Sequence, residues 1–386
     1  MVKHKTTIIF LFALLLSCCE KNPTYTPGGE EARKDYSSTT GIDSFGEENI
    51  VCRNVCLYRN VQMQGFDLGS DGNTVWYVQN WYQTLVWNKG FRDNKEGISY
   101  QNKEYMTLQY FGHATTFSVE EDGNDRYLWL GAYGTPNDSD YHLYFNEKVL
   151  SRVKFIAGKT VNTDQADDYY YIGEYTNMHP AIDPENGLIC INYQDNTGNN
   201  ANRRCFVVYK FNDVKNAPLK DVTITCGDAF RTGNAISQNQ TSTIVNCHDL
   251  TTLTPVARFS FPKTKYGAGD NPVFYDWQGF EFHNDRLYYY EGDTNYYLTG
   301  NVDSPSYAYL TIFDTKGTLV EKRTQVAIAA DAKLQEQHGL GVLGCMEAEG
   351  LKVRGDNLYL GFGTQGYSVY DRNYYNQIFK FKATKK

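Results

Sequence analysis

Five short stretches of this chain place a polar side chain directly before a small residue and a strand-like run. The polar residues are Gln64, His113, His179, Gln278 and Glu349. Their amide, imidazole and carboxyl groups exchange hydrogen bonds with hydroxyl groups, and imidazole and carboxyl groups also act as general acids and bases. The residue types therefore indicate ligand binding or catalysis, provided that folding brings the five together. Taken singly, each also suits a first-strand residue that bonds to the backbone of its neighbours.

A bulky strand closed by turn residues follows each stretch, at 74–78, 127–130, 188–191, 287–290 and 358–362. A third strand then follows within the unit, for example at 205–211, 307–313 and 377–381. Units of antiparallel strands that recur in this way predict an all-β fold, a single five-bladed β-propeller whose first strands line a central channel. The five polar residues would then form one ring at a mouth of that channel.

The first residues have the features of an export signal. Lys3 and Lys5 precede an apolar run at 8–16, and Leu15-Leu16-Ser17-Cys18 matches a bacterial lipobox. We expect a signal peptide at 1–17, cleavage before Cys18, and acylation of that cysteine, including palmitate. The apolar run is too short for a permanent membrane-spanning helix. The sequence thus predicts a cell-envelope protein attached to the outer membrane through its lipid, on either the periplasmic or the surface-exposed side.

The segment 18–50 is poor in apolar residues and rich in Gly, Ser, Thr, Asp and Glu. Such a composition does not bury enough surface to order itself, so we expect a flexible tether. The remaining 51–386 would form the propeller domain. Closure of a propeller requires its first and last segments to meet, and we expect the strand at 51–58 to pair with the strand at 377–381.

Charge and cysteine content limit the partners and the chemistry. The formal net charge is −8, and no basic stretch precedes Lys385 and Lys386, which argues against nucleic acid as a partner. Seven cysteines follow Cys18 and Cys19, an odd number for an exported protein. They are Cys52, Cys56, Cys190, Cys205, Cys226, Cys247 and Cys345. Two pairs of them could be neighbours, but buried free thiols are the simpler expectation. We expect a monomer.

Tyrosine is abundant, with 32 copies, and several of these occur in clusters that resemble loops. Tyrosine and tryptophan offer an apolar face for stacking on sugar rings and a polar group for hydroxyls. Tyr170, Tyr296 and Trp277 are therefore candidate stacking residues. The alternative is that strands favour tyrosine in any case.

Catalysis is the competing hypothesis. His113, His179, Gln278 and Glu349 could hold a divalent cation, which would acidify the carbon beside a uronate carboxylate in a lyase reaction. Glu347 and Glu349 point the same way along one strand and could serve as the carboxyl pair of a glycoside hydrolase. The candidate catalytic residues are thus His113, His179, Glu347 and Glu349. No established catalytic or phosphate-binding motif accompanies them.

Several phrases resemble a known family. They are Phe-Gly-His-Ala-Thr-Thr-Phe-Ser-Val-Glu at 111–120 with Arg-Tyr-Leu-Trp at 126–129, Gln-Gly-Phe at 278–280 with Asp-Arg-Leu-Tyr at 285–288, and Glu-Ala-Glu-Gly-Leu-Lys-Val at 347–353 with Asn-Leu-Tyr-Leu-Gly-Phe at 357–362. With Gln-Gly-Phe at 64–66, these resemble, in order, the helveticin J and teichoic acid biosynthesis protein C family. The resemblance covers roughly 52–383 and is weakest between about 195 and 275.

The resemblance implies a five-bladed propeller, similar to that of a staphylococcal phage receptor-binding protein that recognises wall teichoic acid. It does not imply a reaction, because fold does not determine function. The lipobox and the tether depart from the family pattern, so we expect a different polysaccharide as ligand. The sequence therefore favours a binding module for a polysaccharide or a glycan-phosphate polymer at the channel mouth. A polysaccharide lyase or hydrolase and an envelope scaffold remain open, as does a divalent cation.

Overall fold

The computed structural model describes residues 50–55, 61–81, 84–92, 99–136, 144–201, 203–234, 237–263, 277–294, 306–337, 346–365 and 374–382. The predicted signal peptide, Cys18, nearly all of the tether, Tyr296, Cys56 and Cys345 lie outside these ranges. Within them, no helix has the length and apolar character needed to cross a membrane. The described chain is mostly β-strand, and its sheets form a ring of five blades, which confirms the predicted five-bladed β-propeller.

Each blade is an antiparallel sheet of four strands, given from the channel outwards. Blade 1 contains β2 (Met63–Leu68), β3 (Thr74–Trp81), β4 (Thr84–Arg92) and β5 (Ser99–Gln109). Blade 2 contains β6 (Ser118–Asp122), β7 (Asp125–Ala132), β10 (Val149–Lys154) and β12 (Asp168–Tyr171). Blade 3 contains β13 (Thr176–Asp183), β14 (Leu188–Gln194), β15 (Arg203–Lys210) and β18 (Ala257–Pro262).

Blade 4 contains β19 (Trp277–His283), β20 (Arg286–Asp293), β21 (Tyr307–Asp314) and β22 (Leu319–Gln325). Blade 5 contains β23 (Met346–Arg354), β24 (Asn357–Gln365), β25 (Tyr374–Lys382) and β1 (Ile50–Val55). All five predicted bulky strands lie in the second strands of the blades. The third strand predicted at 205–211 ends one residue earlier, because Phe211 begins a short helix, Phe211–Lys215.

Smaller elements join the blades. β8 (Thr135–Pro136) pairs with β9 (Tyr144–Phe145), and β11 (Thr160–Asn162) runs parallel to β5. The hairpin of β16 (Leu219–Gly227) and β17 (Gln240–Asp249) leaves blade 3 and extends blade 2 through parallel pairing of β17 with β12. The other short helices are Gly198–Asn200, Ala229–Thr232, Leu250–Thr252, Ala327–Ala330 and Ala332–Gln337.

The ring closes through β1. This strand is antiparallel to β25, with Ile50 opposite Phe379 and Val55 opposite Asn376. The predicted pairing of the first and last segments is therefore confirmed for 51–55, while 56–58 lies outside the described residues. Val51 is only 4% exposed, so the closing strand contributes to the core as well as covering an open sheet edge.

The core is divided among the gaps between neighbouring blades, each filled by its own apolar cluster. Representative pairs, in ring order from blades 1 and 2, are Trp87 with Leu128, Trp129 with Ile189, Phe206 with Phe280, Tyr288 with Phe362, and Ile378 with Phe66. Burial of such side chains is the main favourable term in folding. Cys190, Cys205, Cys226 and Cys247 are buried in strands as free thiols, as expected.

The repeated polar–small pattern corresponds to β-bulges on the inner strands. Register shifts occur at Met63/Gly65, Thr176/His179, Trp277/Gly279 and Ala348/Leu351. Gly350 has a φ of 75°, and a Cβ there would lie 2.9 Å from Cα of Gly65. The small residue is thus required where backbones of different blades approach each other, and the bulge re-aims the polar side chain before it.

Blade 2 departs from the predicted pattern. Its phrase at 112–117 is irregular, and β6 begins only at Ser118. Ala114 has a φ of 61°, which is incompatible with a regular strand. The side chain of Glu147 packs against Gly112 and Gly131, and its Oε1 accepts the backbone N–H of His113 at 3.1 Å. The carboxyl group of Glu147 thus accepts the backbone hydrogen bond that a neighbouring strand would accept in a regular sheet.

Candidate functional site

The predicted ring residues lie at the end of the channel where the inner strands begin. Four of them are on β2, β13, β19 and β23, and His113 precedes β6. We call this end the mouth and define it by Gln62, Gln64, His113, His179, Gln278, Glu347 and Glu349. Gln62 is half-buried and the others are buried, with exposures between 0% for Gln278 and 6% for His179.

The centre of the mouth is a set of amides bonded to two carboxyl groups. Nε2 of Gln62 donates to Oε2 of Glu347 at 2.8 Å and to Oε1 of Glu349 at 2.6 Å. Nε2 of Gln64 also approaches Oε1 of Glu349, at 3.4 Å. Gln278 donates to Oε1 of Glu347 at 3.4 Å and to the carbonyl of Gly292 at 3.1 Å. The structure therefore joins four of the predicted site residues, Gln64, Gln278, Glu347 and Glu349, across blades 1, 4 and 5.

The two carboxyl groups affect each other. Burial raises the pKa of Glu349 well above its usual value, and the nearby Glu347 raises it further, while the bond from Gln62 acts in the opposite direction. Asp293 on β20 adds to the rise in the pKa of Glu349. Tyr290, on the same strand, has a buried hydroxyl whose pKa is raised by burial and by Glu349. Burial and the neighbouring carboxyl group thus both favour the neutral form of Glu349.

His113 forms the blade 2 side of the mouth. Its ring is stacked on Phe145 with centroids 4.9 Å apart, and its Nδ1 lies 3.0 Å from Nδ2 of Asn80. Burial lowers the pKa of His113 to about 3, and His179 lowers it further, so the imidazole is neutral. Donation by the Asn80 amide to Nδ1 places the ring proton on Nε2, which has no hydrogen-bond partner among the described residues.

His179 and Trp277 lie between blades 3 and 4. The two rings meet edge to face with centroids 4.9 Å apart. The guanidinium of Arg204 lies over the indole of Trp277, 4.7 Å from its centroid, and Nε of Arg204 donates to the Tyr289 hydroxyl at 3.2 Å. Trp277 is 4% exposed, so the cation covers a ring face that sequence reasoning had assigned to a sugar.

Tyr170 does not lie at the mouth. The sequence suggested a loop, but Tyr170 is on β12 and pairs with Leu150 and His248. It is 1% exposed, and its ring stacks on Trp129 at 4.5 Å between blades 2 and 3. Its expected role as a stacking face for a ligand does not fit this position. The corresponding prediction for Tyr296 lies outside the described residues.

In the described ranges, no group of three or more His, Cys, Asp or Glu side chains is arranged to hold a metal ion. The His113 ring contacts Phe145 and the Asn80 amide, the His179 ring contacts Trp277, and the carboxyl groups of Glu347 and Glu349 bond to Gln62. A divalent cation at His113, His179, Gln278 and Glu349 thus remains a prediction.

A second polar layer follows the bulges, and sequence reasoning missed it. We call it the charge belt: Asp67, Asp183, Glu281, Lys352 and Arg354. Nζ of Lys352 lies 2.8 Å from Oε2 of Glu281 and 3.8 Å from Oδ2 of Asp67, and it donates to the carbonyl of Phe117 at 2.7 Å. Arg354 pairs with Asp67. The sequence does contain a signal for this layer. Three residues after the polar position, three of the five units have a charged residue: Asp67 and Glu281 are acidic, and Lys352 is basic.

The charge belt fastens the inner strands to one another. Oδ2 of Asp67 accepts the backbone N–H of Val119 at 2.9 Å, so blade 1 is tied to blade 2. Asp183 bonds to His283 at 3.2 Å, which ties blade 3 to blade 4. Lys352 reaches blades 2 and 4 from blade 5. The belt is therefore a structural support beneath the mouth, in which Lys352 and Arg354 lie beside the acidic groups of Asp67 and Glu281.

A separate cleft of about 330 Å³ lies between the hairpins of blades 1 and 2. Trp76 and Phe155 line it, with the ion pairs of Lys89 with Glu104 at 2.6 Å and Arg126 with Glu121 at 3.3 Å. It contains Asp71 and Asn124 from the turns that follow β2 and β6. The cleft thus lies at the opposite end of the inner strands from the mouth.

No family model matches the chain, and no curated protein matches it. Among solved structures, a Trichoderma reesei protein of carbohydrate-active enzyme family AA12, in a calcium structure, aligns over 83% of this chain and 80% of its own with 11% identity and a TM-score of 0.33. The Bombyx mori GH32 β-fructofuranosidase aligns over 86% of this chain and 60% of its own, with 9% identity and a TM-score of 0.37. An exo-β-1,3-galactanase from Phanerochaete chrysosporium, with β-1,3-galactotriose, aligns over 83% and 64%, with 10% identity and a TM-score of 0.31. These likenesses assign no activity to this chain.

Proposed function

We propose that this protein is a cell-envelope lipoprotein whose propeller binds a neutral stretch of polysaccharide at the mouth. The observation that carries the proposal is a set of four buried polar atoms, on or beside the residues of the mouth, that have no hydrogen-bond partner among the described residues. They are Nε2 of His113, Oδ1 of Asn80, Nε1 of Trp277 and the hydroxyl of Tyr290. Buried polar groups in native proteins are normally satisfied, so such a group of atoms at one end of a channel favours a polar ligand.

The chemistry of the mouth suits hydroxyl groups. Amides and neutral imidazole both donate and accept hydrogen bonds, and carboxyl groups accept hydroxyl protons. The described donors on Glu349 are the neutral amides of Gln62 and Gln64. Phosphate recognition usually relies on Arg or Lys, and a pair of acidic side chains repels it. The ligand segment at this side of the mouth is therefore a neutral sugar in preference to a glycan phosphate.

Attachment to the membrane is part of the proposal and rests on the lipobox. Acylation of Cys18 would tether the propeller to the envelope, where polysaccharide is the abundant polymer. Metabolic labelling with a palmitate analogue tests it: the wild-type chain should carry label and fractionate with membranes, and Cys18→Ser should do neither. Label retained in the serine variant would assign the lipid elsewhere.

The binding test uses soluble residues 20–386 on a glycan array and on immobilised polysaccharides, with newly formed chain ends measured in parallel. Retention should be lost in His113→Ala and Glu349→Ala. Lys322→Ala is the matched control, because Lys322 is exposed on β22, away from the mouth, and should bind as wild type does. Absence of retention above background across neutral polysaccharides would remove the proposal's support.

Hydrolysis is the second candidate, favoured by one observation. Glu347 and Glu349 both accept a hydrogen bond from the same nitrogen of Gln62, so the two carboxyl groups are close neighbours. Closely spaced carboxyl groups with different protonation states are the machinery of retaining glycosidases. New reducing ends that disappear in both Glu347→Gln and Glu349→Gln would establish it, whereas retention without cleavage would leave a binding protein.

A further inference from the structure

The two carboxyl groups of the mouth are bonded differently. Both hydrogen bonds from described residues to Glu349 arrive at Oε1, from Gln62 at 2.6 Å and from Gln64 at 3.4 Å. Among the described residues, Gln278 instead donates an amide hydrogen to Oε1 of Glu347, and Gln62 donates one to Oε2. An N–H directed at each oxygen stabilises an ionised carboxylate, while a carboxyl bonded only at Oε1 keeps Oε2 for a proton.

One bound proton on the two carboxyl groups is enough to reduce the negative charge of this buried pair from two to one. Gln62 is neutral and its Nε2 supplies one hydrogen to each carboxyl group, so it does not compensate two negative charges in a buried site. A proton on Oε1 of Glu349, or on either oxygen of Glu347, would compete with an amide N–H already directed at that atom. Oε2 of Glu349 is the position that conflicts with none of the described bonds.

The groups around Glu349 agree with this assignment. Glu347 on its own strand and Asp293 on β20 both raise the pKa of Glu349, and blade 1 contributes the neutral side chains of Gln62 and Gln64. Tyr290 on β20 presents a hydroxyl that is itself fully buried and without a partner among the described residues. The groups described around Glu349 are thus hydrogen-bond acceptors and neutral donors, which favour a protonated carboxyl group.

We infer that Glu349 and Glu347 form an acid–carboxylate pair that recognises a vicinal diol of a sugar. The Oε2–H of Glu349 donates to the oxygen of one hydroxyl, and the neighbouring hydroxyl donates its hydrogen to Glu347. An ionised carboxylate has about four acceptor positions, so Glu347 accepts this bond beside its two amide bonds. The inference rests on the proposed function and adds the chemical group that is selected.

The first experiment needs no ligand. Infrared difference spectra of wild type against Glu349→Gln at pH 7 should show loss of a carboxylic acid C=O band, which an ionised carboxylate does not have. The same comparison for Glu347→Gln should show loss of carboxylate bands. A Glu349→Gln difference spectrum with carboxylate bands alone would overturn the proton assignment, whether or not the protein binds a glycan.

The second experiment measures retention on immobilised dextran and mannan, whose sugar units carry vicinal diols, and on laminarin, whose 3-linked internal units lack them. Dextran and mannan should retain the protein, and laminarin should not. Periodate cleaves vicinal diols, so oxidised and reduced dextran should lose retention. Equal retention on laminarin, or retention unaffected by periodate, would overturn diol recognition.

The pH dependence links the two experiments. Dextran affinity of wild type should fall about tenfold per pH unit above the raised pKa of Glu349, because the donor is lost on ionisation. Glu349→Gln retains a donor and an acceptor, so its affinity should not change over the same range; a parallel loss of affinity in this variant would contradict the inference. If no polysaccharide is retained, the proposed function fails, while the infrared result still decides where the proton lies.

Discussion

Gly363 lies directly against the side chain of Gln62. A Cβ at position 363 would be 2.6 Å from Cγ of Gln62, too close for any real contact. Gln62 therefore reaches Glu347 and Glu349 at once only because position 363 on β24 has no side chain.

We expect Gly363→Ala to displace Gln62 and to reduce glycan retention as strongly as Gln62→Ala does. Overpacking of this kind costs about 1–3 kcal/mol in the free energy of unfolding. The double variant removes the colliding side chain, so the additional cost of Gly363→Ala should largely vanish in the Gln62→Ala background. Urea unfolding of wild type, the two single variants and the double variant measures this cycle. If the two losses in the free energy of unfolding simply add, Gly363 does not act through Gln62.

Lys352→Ala should destabilise the propeller severely. The substitution removes the cation 2.8 Å from Glu281 and leaves the carboxylates of Glu281 and Asp67 buried in the charge belt. Loss of one partner of a buried ion pair costs about 3–5 kcal/mol. Lys322→Ala, an exposed lysine on β22, should change the free energy of unfolding by no more than about 0.5 kcal/mol. Equal melting temperatures for the two variants would refute the supporting role of the belt.

His113 should make the protein less stable as the pH falls. Its pKa is about 3 in the folded protein and ordinarily 6.5, so between these values the unfolded chain binds a proton that the folded protein does not. Stability is then lost as the pH drops below 6.5, by at most about 1.4 kcal/mol per pH unit. Urea unfolding from pH 7 to pH 4.5 should show a shallower dependence in His113→Gln. An unchanged slope would contradict a buried neutral imidazole.

His283 provides a contrast of opposite sign. Its bond to Asp183 raises the pKa of His283, so its contribution to stability is present below the ordinary value of 6.5 and is lost as the pH rises through the raised value. His283→Asn should therefore destabilise the protein more at pH 5.5 than at pH 9, as followed by melting temperature. A larger effect at pH 9 would reverse this sign.

Removal of β1 should open the ring. Deletion of 50–55 exposes the edge of β25 and the apolar surface that Val51 covers, which should lower the free energy of unfolding by more than about 2 kcal/mol. Deletion of 20–45, in the predicted tether, should leave the melting temperature unchanged. Similar melting temperatures after both deletions would contradict closure by this strand.

The strands and much of the mouth were predictable because both follow a local, repeated signal. Each bulky strand alternates with turns, and Gln64, Gln278 and Glu349 each precede a glycine that a bulge requires at the channel axis. These features depend on residues adjacent in sequence.

The missed features depend on distant contacts. Gln62 carries no repeated signal, and its position is set by carboxyl groups 285 and 287 residues away. Tyr170 occurs in a run of tyrosines typical of a loop, yet pairing with His248, from a hairpin much later in the chain, makes it part of a sheet. The irregular phrase at His113 reflects the insertion of Glu147, which no local pattern around His113 predicts.

Closure by the first strand has a consequence for synthesis. β1 leaves the ribosome before every other strand of the propeller, whereas its partner β25 is among the last segments made. At about 5–20 residues per second, β1 waits roughly 15–60 s for that partner. During this time two strand edges are open to pairing with other chains, the usual route to aggregation. A chaperone that protects open strand edges should therefore matter most for nascent chains. A chain that lacks β25 would keep these edges open permanently.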